Sequence, residues 1–132
     1  MAGETDLGRL LGQLQPMLIE GEFVFCTLPN SQYGDFAEWR PLACYQEQEG
    51  LSLLISQQQA DAAGLAYSAV FKGITLSVHS SLDAVGLTAA VANKLAECGI
   101  PANVIAAHYH DHVFVPAERA ELALQLLSEL ST

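Results

Sequence analysis

The stretch from Ile74 to Cys98 constrains this chain most. Ile74, Leu76 and Val78 alternate with Thr75, Ser77 and His79, the period of a half-buried strand. Ser80 is followed three residues later by Asp83, the spacing of a hydroxyl cap and a carboxylate at the positive end of a helix. Ala84, Leu87, Val91 and Leu95 recur at helical spacing, so a helix is predicted from Ala84 to Cys98. Gly99 is a C-cap candidate, and Pro101 cannot continue the helix. The segment therefore reads strand, tight polar turn, helix. Such a turn offers backbone N–H groups to a carboxylate or phosphate, although any strand–helix unit contains one.

The remaining chain supplies elements of both kinds. Thr5 or Asp6 can cap a short helix that carries Leu7, Leu10, Leu11 and Leu14 on one face and ends near Pro16. Glu22 to Leu28 reads as a strand after a turn at Gly21. Asn30 to Arg40 has no period and holds Tyr33, Phe36 and Trp39; it reads either as cover over a pocket or as a surface loop anchored by its aromatics. Leu42–Gln48 and Leu51–Ser56 flank Glu49 and Gly50 as a hairpin. A short helix over Gln57–Ala63 stops at Gly64, a strand follows over Leu65–Phe71, and Lys72 and Gly73 lead into the central segment. After it come strands at Asn103–His108 and His112–Val115, joined by a turn at Tyr109–Asp111. A helix over Ala117–Leu130 closes the chain, with Ala120, Ala123, Leu124, Leu127 and Leu130 inward.

From Ile74 the order is β-α-β-β-α, one strand short of a ferredoxin-like β-α-β-β-α-β unit. The strand Ile74–His79 is then left with an open edge, to be filled by a strand of the first half or by another copy of the chain. The first half repeats the order with its first helix replaced by the Asn30–Arg40 loop. The expected architecture is α+β, ferredoxin-like, antiparallel and covered by helices, divided into 1–72 and 73–132.

With 132 residues, 51% of them hydrophobic, the chain has enough apolar material for a real core. Five Lys and Arg against fifteen Asp and Glu argue against nucleic acid and against an anionic membrane surface as partners; the same acidity also serves plain solubility. No apolar run reaches membrane-spanning length, and the acidic start, Met1–Asp6, lacks signal-peptide character. Cys26, Cys44 and Cys98 are far apart and read as buried, reduced thiols in a cytoplasmic protein.

The segment Ile74–Ile105 resembles an ACT domain: an apolar strand, a short polar turn with Gly86, an amphipathic helix, then Gly99, Ile100 and a second strand bearing Asn103. Glu22–Thr27, Val78–Leu82 and Tyr109–Pro116 extend the likeness to small bacterial proteins that pair a diverged N-terminal half with a clearer C-terminal ACT unit. The resemblance implies a non-catalytic regulatory module that binds an amino acid or similar metabolite, needs no cofactor and forms a homodimer. It places the effector at Ser80, Ser81, Leu82, Asp83, Ala84, Val85 and Gly86, with Asn103, Val104 and Ile105 on the facing strand. The residues also have blander uses: close helix packing for Gly86, helix capping for Asp83, solvent exposure for Asn103.

His108, His110 and His112, with Asp111, form the sharpest alternative, because three imidazoles and an open position make a catalytic zinc arrangement. In one straight strand they would share a face. The turn predicted within this stretch separates them, so no metal site is expected, and Asp111 reads as a turn residue bonding its own backbone. There is no nucleophile elbow, Walker loop or dinucleotide fingerprint.

Overall fold

The computed structural model describes residues 6–78 and 85–131. They fall into two compact units: one is Gly21–Phe71, and the other joins the residues up to Glu20 with those from Lys72 onward.

The chain opens on helix α1, Leu7–Gly12, capped by Asp6, whose carboxylate accepts the Arg9 N–H at 3.0 Å. Leu10 and Leu14 have no exposed surface. Gln15 takes a left-handed backbone (φ 39), and a three-residue strand β1 follows at Pro16–Leu18. Three residues are too few to show a period, which is why sequence patterning misses this strand.

The unit Gly21–Phe71 contains β2 (Phe23–Leu28), β3 (Ala43–Glu47), β4 (Gly50–Ser56) and α2 (Gln57–Ala62). β4 lies between the other two strands, antiparallel to both, and Phe71 faces Phe23 on the far side of β2. Val24, Cys26 and Leu28 pack with Leu51, Leu53, Ile55 and Ala60 as one core. Gly50 is forced by its surroundings: its φ is 146, and a Cβ there would stand 2.6 Å from the Leu28 carbonyl oxygen. Ser56 caps α2 by accepting the Gln59 N–H at 3.2 Å. The strand expected over Leu65–Phe71 is not formed before Phe71. Instead the Leu65 N–H bonds the Ala60 carbonyl, and the Tyr67 hydroxyl donates to Asp61 and accepts from Gln57. Leu65, Tyr67 and Val70 turn toward the core from a loop, so their spacing imitates a strand without its ladder.

In the other unit, β5 (Phe71–Leu76), α3 (Leu87–Ala96), β6 (Asn103–Ala106), β7 (Asp111–Pro116) and α4 (Ala120–Glu129) follow the expected order. Lys72 and Gly73 are inside β5 rather than before it. A Cβ on Gly73 would meet Ile19 Cδ1 and Phe114 Cε2, each at 2.7 Å, so the glycine serves close packing. The strand order is β6-β7-β5-β1. β1 lies antiparallel on the edge of β5, with Pro16 opposite Leu76 and Leu18 opposite Ile74. The fourth strand of this ferredoxin-like unit thus comes from the start of the chain, and the edge of β5 is covered from within.

Ile74, Leu76 and Val78 face the helices with Val91, Leu95, Val113 and Leu127. α3 starts at Leu87, three residues later than expected, with Gly86 at its N-cap; Ser80 and Asp83 lie outside the described residues. At the other end the Gly99 N–H bonds Ala96 and the Ile100 N–H bonds Leu95, the paired bonds of a Schellman motif with Gly99 left-handed at φ 70. A 3-10 turn over Ala117–Arg119 precedes α4, and Leu126 joins its buried face beside Ala120, Ala123 and Leu127, with Leu124 and Leu130 partly buried.

Candidate functional site

Only a short link, residues 97–102, separates α3 from β6, so the C-terminus of α3 lies at the Asn103 end of that strand. Ten residues of helix run back about 15 Å, which brings the N-terminus of α3 to the end where Ala106 faces Asp111. Gly86 has φ 98, and its carbonyl accepts the Ala90 N–H at 2.8 Å. The N–H groups of the first turn, Leu87 to Ala89, have no acceptor within the helix and point out of its end.

Two ladder rows locate the facing strand. Ile105 lies opposite His112, and His112 Nδ1 is 3.1 Å from Thr75 Oγ1. Asn103 lies opposite Phe114, whose ring borders Gly73. Of the expected site residues, Val85 is 82% exposed and Gly86 caps α3. Val104 faces the helical side, paired with Val113 and packed on the core. Asn103 and Ile105 alternate with it onto the other side. Asn103 is also two residues further from the β5–α3 end than Ile105, and its amide donates to the Phe114 carbonyl at 3.1 Å. Ser80, Ser81, Leu82, Asp83 and Ala84 lie outside the described residues.

Asp111 is not the turn residue expected of it. It opens β7, is 9% exposed, and is the one buried charged side chain among the described residues. Burial pushes its carboxyl above the usual range, opposed by the charges of His112 and His110. Asp111 keeps the phase of Val113 and Val115, which face the helices; extending the strand pattern two residues back would have found it. His112 is held below its ordinary value by burial, with His110 adding to the effect and Asp111 opposing it. His110 Nδ1 is buried without a hydrogen-bond partner among the described residues. His108 and His110 sit in the β6–β7 loop and His112 in the strand, and no group of three or more His, Cys, Asp or Glu among the described residues is placed to hold a metal ion.

A second concavity lies within Gly21–Phe71. The loop from β2 to β3 contains a 3-10 turn over Ala37–Trp39. Phe36 and Trp39 lie against the core, with ring centroids 4.6 Å apart. Gln46 of β3 ties the loop down, accepting the Tyr33 N–H at 2.8 Å and donating to the Ser31 carbonyl at 3.3 Å. Gln59 of α2 donates to the Trp39 carbonyl at 2.8 Å. Beneath the loop is a cavity of about 220 Å³, lined by Tyr33, Gly34, Asp35, Ala37 and Pro41 above Cys44, Leu51 and Leu53. Phe36 and Trp39 thus anchor the loop, while Tyr33, Gly34, Asp35 and Ala37 border a pocket.

Two family models, each for an ACT domain, match residues 2–72 and 71–129. The chain belongs to the ACT-domain family. Its ACT fold is shared with a Vibrio cholerae protein of unknown function, described as a possible transport protein, at 50% identity over 96% of each chain and a TM-score of 0.87. An Agrobacterium tumefaciens protein is similar at 15% identity over 90% of each chain, with a TM-score of 0.73. The regulatory subunit of aspartate kinase from Thermus thermophilus has the same fold at 13% identity, over 89% of this chain and 97% of its own, with a TM-score of 0.64. No curated protein matches the sequence. Among the described residues of this ACT protein, no helix is long and apolar enough to cross a membrane.

Proposed function

We propose that this ACT-domain protein is a non-catalytic regulatory module that binds an amino acid at the turn Ser80–Gly86, where β5 leads into α3, with β6 alongside. The observation that carries the reading is Asp111. A carboxylate stays 9% exposed only at a cost in solvation, and this one lies on the helical side at the end where α3 begins. Free N–H groups of the first turn of α3 suit a carboxylate, and Asp111 suits an ammonium, so the end presents the two poles an amino acid needs. Val104 lends apolar surface on the same side, while Ile105 and Asn103 shape the strand. The fold held in common with an aspartate kinase regulatory subunit supports a regulatory role. The protein works as a cytoplasmic homodimer, without nucleic acid, membrane or cofactor.

The test is thermal unfolding against the twenty amino acids, their precursors and divalent metals. A ligand at 100 times its Kd that binds only the folded state adds about 2.7 kcal/mol, a shift of several degrees in a domain of this size. Asp111→Asn, folded by circular dichroism, should lose that shift. A panel with no amino-acid response, a response to zinc alone, or binding that Asp111→Asn leaves intact would each defeat the reading.

A further inference from the structure

The geometry points to a second small-molecule site, beneath the loop between β2 and β3, that takes a primary ammonium compound with a small apolar body. It is independent of the β5–α3 turn and is built from described residues alone.

Three observations converge there. The first is space. In the other unit a helix, α3, connects the first strand to the second; here an irregular loop makes that connection and leaves about 220 Å³ beneath it. The cleft is open to solvent on the side of Tyr33, Gly34, Asp35 and Ala37, which are exposed, and floored by the buried Leu51 and Leu53. At roughly 30 Å³ per water it has room for about seven, comparable to a valine or leucine molecule. The second is backbone strain. Asn30 (φ 66), Phe36 (φ 64) and Arg40 (φ 51) all hold left-handed conformations, uncommon for such side chains. Three in one loop, pinned by Gln46 and Gln59 from β3 and α2, is the kind of over-determined strain found at ligand clamps.

The third is chemistry. Leu51, Leu53, Pro41 and Ala37 supply an apolar lining, and Asp35 is the one charged residue in it. One oxygen of Asp35 accepts the Gln32 N–H at 2.9 Å, which orients the carboxylate; its acceptor capacity exceeds that single bond. No Lys, Arg or His lines the cavity, and the chain carries a net charge of −10. An anion has no cationic partner here. A cation has Asp35 and a favourable field.

Cys44 is a built-in reporter. It lines the cavity, its thiol is free and exposed, and Cys98 is a second exposed thiol elsewhere. The intact protein is treated with iodoacetamide, and modification of both cysteines is followed by mass spectrometry in one sample. The probes are L-leucine and L-valine, the amines isoamylamine and isobutylamine, and the amine-free 4-methylpentanoate. Saturating leucine, valine or either amine should slow Cys44 at least tenfold and leave Cys98 unchanged. Asp35→Asn, which keeps an acceptor for Gln32, should abolish the protection, and Asp111→Asn should preserve it. Protection lost in Asp111→Asn but kept in Asp35→Asn would overturn the site. So would protection by 4-methylpentanoate equal to that by the amines, or no selective slowing of Cys44 by any probe.

Discussion

Thr75 Oγ1 stands 3.1 Å from His112 Nδ1, bridging β5 and β7 on the side of the sheet away from the helices. Partial burial, with the nearby charge of His110, keeps this histidine neutral more readily than one in water and holds its value below the ordinary one, against the pull of Asp111. Its stabilising contribution is complete above the ordinary histidine value of about 6.5 and is lost as the pH falls through the lowered folded value. His112→Gln should therefore flatten the loss of stability on acidification below about pH 6.5, read by urea unfolding across pH. Thr75→Val should cost about 0.5–1.5 kcal/mol at neutral pH.

Asp111 has the opposite sign. Its carboxyl is raised by burial, so its contribution favours folding below the ordinary carboxylate range and is lost as the pH rises through the raised value. Asp111→Asn should gain stability relative to the parent between mildly acidic and neutral pH, and the difference should shrink in acid. A constant difference across pH would show that the carboxylate does not titrate differently in the fold.

Gly73 and Gly99 should fail for different reasons. Alanine at position 73 drives a methyl to 2.7 Å from both Ile19 and Phe114, and overpacking of this kind costs about 1–3 kcal/mol. Alanine at Gly99 meets nothing within 4 Å but must hold φ 70, a cost of about 1–2 kcal/mol. Trimming both Ile19 to Val and Phe114 to Leu should reduce the cost of Gly73→Ala and leave that of Gly99→Ala unchanged in denaturant titrations.

Removing residues 1–18 strips β1 from β5 and takes Leu10 and Leu14 from the core. The exposed strand edge is a pairing surface. The shortened chain should self-associate or unfold, seen by light scattering after size exclusion; a stable species with unchanged association state would show that β1 is dispensable.

In the native protein two thiols should react quickly with a small disulfide reagent and the third only on unfolding. Against the burial expected of all three, Cys44 and Cys98 are exposed, and only Cys26 is buried, its thiol pushed up by that burial. Three equally fast thiols would mean that the core around Val24 and Leu53 opens.

Much of this protein is written locally. The alternation at Ile74, Leu76 and Val78, the stop at Gly99, the hairpin before Gly50 and the apolar face of α4 each arise from one side of one element meeting a core, and such burial leaves its period in the sequence. So does the family likeness, since its motifs are contiguous. Tertiary structure decided the rest. Pro16–Leu18 becomes a strand because Ile74–Leu76 offers it a ladder. Leu65 and Tyr67 alternate like a strand, yet partners on α2 hold them in a loop. Asp111 is buried because β7 begins before its hydrophobic run does, and the cavity above Leu51 and Leu53 exists because a loop stands where the other unit has a helix. Pairing and void are set by groups distant along the chain, and a local period carries no record of them.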